Sequence, residues 1–116
     1  MNMVMDELKE YGVNMEVAMQ RCVNNEALYL KLARKIPNMS EFESLKQSIA
    51  DKDLESAFSY AHALKGIVSN LAITPLEEPI TEMTEHLRAK EDIDYSDYIT
   101  KMDDAYNRLC EILAED

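Results

Sequence analysis

A chain of 116 residues can bury enough apolar surface to fold as one domain without disulfides or metals. Two glycines and three prolines among abundant helix formers predict an all-helical protein. The net charge of -11, with no stretch that gathers Lys or Arg among aromatics, excludes binding to the phosphate backbone of nucleic acid.

In chain order, residues 1–10 are acidic where a secretory signal is basic, and no apolar run reaches bilayer-spanning length, so neither export nor a membrane anchor is expected. Asn14 can cap a short helix to about residue 23, which Asn24 and Asn25 interrupt before a second helix over 26–36 that Pro37 closes. Ser40 followed by Glu43 reads as a capping box, with Phe42, Leu45 and Ile49 at helical spacing to about residue 50. Asp53 can cap the longest helix, 54–71, whose apolar stripe is Ala57, Tyr60, Ala61, Leu64, Ile67, Val68 and Leu71.

Thr74-Pro75-Leu76-Glu77 combines an N-cap, an early proline and a capping-box glutamate. Pro79 either lies in a loose first turn or marks the true start of that helix. Asp94 and Asp97 open the last helix, on which Tyr95, Tyr98, Ile99, Met102, Tyr106, Leu109 and Leu113 recur at helical spacing. Short connections make neighbouring helices antiparallel. The predicted fold is all-α, a single domain with an antiparallel up-and-down four-helix bundle over 40–116 and an additional N-terminal helical pair within 1–39.

Residues 1–66 carry -2 of the charge and residues 67–116 carry -9, which reads as a solvated outer face on the second half. Cys22 and Cys110 lie in separate apolar-periodic segments, so buried reduced thiols in a cytoplasmic protein are expected rather than a disulfide or a metal pair. Met15, Met19, Met83 and Met102 occupy helix faces where core packing is the ordinary explanation. With two histidines and two cysteines scattered and no Glu-x-x-His pair, no metal site is expected.

The residue that stands out is His62. At about 100° per residue it points roughly 160° from a stripe centred on Leu64, so its imidazole should face solvent in the middle of the longest helix. Gly66 lies one turn further on, although glycine inside a helix costs about 1 kcal/mol relative to alanine. A bare patch there would let another protein's backbone approach. Lys65, at i+3, can bring an ammonium beside the ring, while Ser69 and Asn70 can supply hydrogen bonds.

Ala61-His62-Ala63-Leu64-Lys65-Gly66 followed by Asn70-Leu71 resembles the motif of histidine-containing phosphotransfer (HPt) domains of bacterial and fungal phosphorelays. The resemblance extends to the placement of the helices before and after it. It implies a helical bundle in which His62 is the phospho-acceptor, Lys65 offsets phosphoryl charge, Gly66 clears space for the partner, and Asn70 is a supporting polar position with Ser69. The implied partners are the receiver domain of a response regulator, a hybrid histidine kinase, or both. The chain would have no cofactor of its own, Mg2+ being brought by the receiver, and would act as a monomer.

Two isolated glycines cannot build a phosphate-binding loop, so a carrier rather than an ATP-using enzyme is expected. The alternative is an adaptor that binds a kinase or receiver domain without carrying phosphate. The family pattern usually has glycine where this chain has Ala72. It also often uses a polar side chain of the following helix to orient the histidine, for which Glu82, Glu85 and His86 all remain open.

Overall fold

The computed structural model describes residues 3–114, and its regular elements are all helical. Seven α-helices follow in order: α1 (Met3–Tyr11), α2 (Met15–Arg21), α3 (Glu26–Ala33), α4 (Glu41–Ala50), α5 (Leu54–Asn70), α6 (Thr74–Arg88) and α7 (Ser96–Leu113). A single 3-10 turn, Ile36–Asn38, holds Pro37 between α3 and α4. Two predicted caps form, Asn14 accepting from the backbone N–H of Val17 (3.3 Å) and Asp53 from Ser56 (3.1 Å), and Asn25, expected only to interrupt the chain, caps α3 by accepting from Leu28 (3.0 Å). Each side-chain oxygen satisfies one of the amides that a helix start leaves without an internal partner.

Several elements differ from the sequence expectation. Three α-helices precede α4, not a pair, because α1 buries Val4, Met5 and Leu8 and packs on α7, where the Tyr11 hydroxyl donates to the carbonyl of Ala105 (2.7 Å). The Ser40 capping box does not form. Ser40 already has helical torsions, φ -75° and ψ -15°, whereas a capping residue needs extended backbone to turn its oxygen onto the first turn. Glu43 instead pairs with Lys46 (3.0 Å), which also reaches Asp103 of α7 (3.2 Å).

At the start of α6, Ile73 takes the cap position and Thr74 is the first helical residue. Ile73 is fully buried and bridges Val13 of the α1–α2 connection, so packing, not a side-chain cap, fixes this end. Pro79 lies inside α6 and is buried there, which rules it out as the start of that helix. It removes one main-chain hydrogen bond from the early part of the helix.

Each of α4 to α7 packs on the next, and α7 returns to α4 through Phe42 against Tyr106 (ring centroids 4.5 Å apart) and the Lys46–Asp103 pair. Leu45, Leu64, Ile80, Met83, Met102 and Leu109 meet in the centre with no exposed surface. Burying each such side chain stabilises the fold by about 2 kcal/mol. Both cysteines are free thiols, Cys22 buried and Cys110 partly so.

The N-terminal segment is held onto this frame by main-chain acceptors. The buried Tyr29 hydroxyl donates to the carbonyl of Leu71 (2.8 Å), the N–H of Asn14 to Ala72 (3.0 Å) and the Tyr106 hydroxyl to Pro37 (3.0 Å). Burial pushes the Tyr29 phenol well above its ordinary pKa, so it stays a neutral donor. Gly12 completes the seam: its φ is +131°, and a Cβ built there would lie 2.8 Å from Cγ of Pro75. Ala72 adopts φ +55°, the left-handed conformation that glycine takes without penalty at a helix end. Among the described residues no helix is long and apolar enough to cross a membrane.

Candidate functional site

The core side of α5 consists of Ala57, Ala61, Leu64 and Val68, all fully buried against the neighbouring helices. That packing fixes the rotation of the helix and turns His62 and Gly66 outward, where both are exposed. The neighbours of the imidazole three and four positions away along α5 are Phe58, Ser59, Lys65 and Gly66, none of them acidic. In a chain of net charge -11, this stretch is a local exception.

Among the described residues no hydrogen bond reaches the ring of His62, so its nitrogens are open to an incoming group. Its contact is with Phe58, one turn earlier, whose half-buried ring stacks on the imidazole with centroids 5.5 Å apart and planes inclined by 30°. The guanidinium of Arg88, from the last turn of α6, lies over the same phenyl ring with Cζ 5.0 Å from its centroid. Arg88 Nε donates to Glu85 (3.1 Å). The phenyl ring of Phe58 thus links the histidine of α5 to an arginine of α6.

Lys65 is half-buried and Gly66 is bare: a Cβ built on Gly66 meets nothing within 4 Å. The space beyond Gly66 opens into a cleft of about 630 Å³ whose walls include Leu32, Ile36, Met39 and Ile67, with Asn70 at its edge. Ser69 is half-buried, and its carbonyl accepts from Arg21 of α2. The structure therefore gathers His62, Lys65, Gly66, Ser69 and Asn70 along one side of α5. Lys65, Ser69 and Asn70 make no hydrogen bond to the imidazole.

None of the three α6 candidates for orienting the histidine is hydrogen-bonded to it. His86 is hydrogen-bonded to the Tyr98 hydroxyl (3.2 Å) and to Glu91 (3.3 Å), facing α7. Glu85 is engaged by Arg88, and Glu82 lines a different depression beside Pro75 and Lys101. The residue that does meet the imidazole is Phe58, with Arg88 lying over that phenyl ring, and neither is among the sequence candidates. Phe58 was recoverable from its i-4 spacing to His62, whereas Arg88 depends on how α6 packs against α5 and has no local signal.

Chemically, the site offers an accessible imidazole, which in its neutral form carries a lone pair on one ring nitrogen, with a cation at i+3 and an unobstructed approach at i+4. Among the described residues no three His, Cys, Asp or Glu side chains gather as a metal site requires. A protein-family model described as the Hpt domain matches residues 38–112, from just before α4 into the last turn of α7, which is more than half of the chain. No curated protein and no solved structure gives a significant match.

Proposed function

The chain belongs to the Hpt domain family, the phosphotransfer domains of two-component phosphorelays, and on that premise we propose that His62 is its phospho-acceptor. The observation that carries this reading is the exposed imidazole on α5 beside a glycine whose added methyl would meet only open space. In the proposed step, the lone pair of one ring nitrogen attacks the phosphorus of an aspartyl phosphate on a receiver domain. The P–N bond forms as the P–O bond to the carboxylate breaks, and the electron pair leaves on that carboxylate. Both species are reactive, so the step runs in either direction and the domain passes the group to a second aspartate.

Each neighbour has a part in this proposal. Lys65 offsets charge on the phosphoryl oxygens, Gly66 admits the partner's active-site edge, and Ser69 and Asn70 supply polar contacts at the periphery. In-line transfer needs positioning and charge neutralisation of the moving group, chiefly by metal and cations. The receiver, or the receiver of a hybrid histidine kinase, contributes the Mg2+. The chain is then a carrier without catalysis of its own, built on α4 to α7 as an up-and-down antiparallel bundle and acting as a cytoplasmic monomer.

Incubation with a receiver domain phosphorylated on its aspartate tests the reading. The expected product is acid-labile, alkali-stable label on His62 that is lost in His62→Gln. Binding to competent receivers without any label would replace the carrier with a phosphate-independent adaptor.

A further inference from the structure

Phe58 and Arg88 have no part in the carrier chemistry described so far, yet Phe58 stacks on the imidazole of His62 and Arg88 lies over Phe58. An exposed arginine on the last turn of α6 has an ordinary use, since a cation there complements the helix dipole and pairs with Glu85 at i-3. That accounts for the charge but not for the planar guanidinium lying over a phenyl ring, nor for that ring stacking on an imidazole. A half-exposed phenylalanine beside a solvent-facing histidine also contributes less burial than the same residue would in the core.

Resting on the phosphocarrier reading above, we propose that Phe58 and Arg88 form a positioning unit for His62. Phe58 holds the imidazole in one orientation, and Arg88 fixes the phenyl ring by lying over it. An imidazole on a helix surface otherwise samples several side-chain rotamers, and only those that aim a nitrogen along the line of attack are productive. A stack with the ring one turn earlier restricts that sampling without occupying either nitrogen, which a hydrogen bond would do. Arg88 is itself held at Nε by Glu85, so the guanidinium keeps its place over the phenyl ring.

Transfer from a phosphorylated receiver is measured for the wild-type chain, Phe58→Leu, Arg88→Ala and Arg88→Lys, alongside the proton NMR signals of the His62 ring. Leucine keeps apolar bulk at position 58, and Arg88 is surface-exposed, so the variants fold. Phe58→Leu and Arg88→Ala are expected to lower the maximal single-turnover transfer rate by about fivefold with the half-saturating receiver concentration unchanged, with Arg88→Lys in between, because it keeps the charge and loses the planar contact. Phe58→Leu also moves the His62 ring protons downfield as the ring current is lost. A wild-type maximal transfer rate in both Phe58→Leu and Arg88→Ala, or a loss confined to the half-saturating receiver concentration, would overturn the positioning role while leaving the carrier standing. A wild-type chain that takes no label at all would overturn both.

Discussion

Gly12 and Gly66 are the chain's only glycines, and a methyl group added to each meets opposite surroundings. At the seam between the N-terminal segment and α6, Gly12 has φ +131° and sits so close to Pro75 that no side chain fits. On the outer face of α5, Gly66 has helical neighbours on both sides and nothing within 4 Å of where its Cβ would be. The first glycine is required by the fold. The second is tolerated against the fold's own preference, because alanine there would make a better helix. The helix cost of Gly66 finds no return in the packing, and the proposed function gives it one, the approach of a partner one turn from the exposed histidine.

The comparison can be broken first at the seam. Gly12→Ala combines an unfavourable backbone with an overlap against a rigid proline ring and should destabilise the protein by about 3 kcal/mol, read as a fall in the urea midpoint. A midpoint equal to the wild type's would mean that the seam is not packed as described. Tyr29→Phe removes the donor to the buried carbonyl of Leu71 and should cost about 1–2 kcal/mol in the same titration, without altering transfer from a phosphorylated receiver. Slowed transfer in that variant would show that the seam and the α5 face are coupled.

On the other face the sign reverses. Gly66→Ala should stabilise the fold by about 1 kcal/mol, since the methyl meets no neighbour and alanine is the better helix former. A destabilised variant would place something against Gly66 that is absent from the structure. Smallest of all, Lys65→Ala should leave the urea midpoint within about 0.5 kcal/mol of wild type while slowing transfer a few-fold, an effect that added salt diminishes. Transfer rates equal to wild type at every ionic strength would remove Lys65 from the site.

Much of this contrast is legible in the sequence because it follows from one helix. The stripe through Ala57, Ala61, Leu64 and Val68 fixes which side of α5 is buried, and with it the exposure of His62 and Gly66. The caps at Asn14 and Asp53, whose side chains bond to their own helix, are equally readable. What was not readable depends on tertiary context. Ser40 carries the residue type of a cap without its backbone conformation, and Ile73 ends a helix by packing against Val13. The helix α1 offers only Val4, Met5 and Leu8 over two turns, too short a pattern without knowledge of α7. Glu82, Glu85 and His86 were reasonable neighbours for His62 by register. His86 faces Tyr98 and Glu91 instead, and Arg88, near the same end of α6, lies over Phe58, the ring that stacks on the histidine.

The most direct test of the claim that the face of α5 serves a partner is to follow two quantities in one variant, the urea midpoint and the rate of label transfer from a phosphorylated receiver to His62. Gly66→Gln is predicted to raise the midpoint, because glutamine is the better helix former, and to slow transfer by at least an order of magnitude, because its side chain fills the approach that the bare position leaves open. Transfer at the wild-type rate in that better-folded variant would contradict the account.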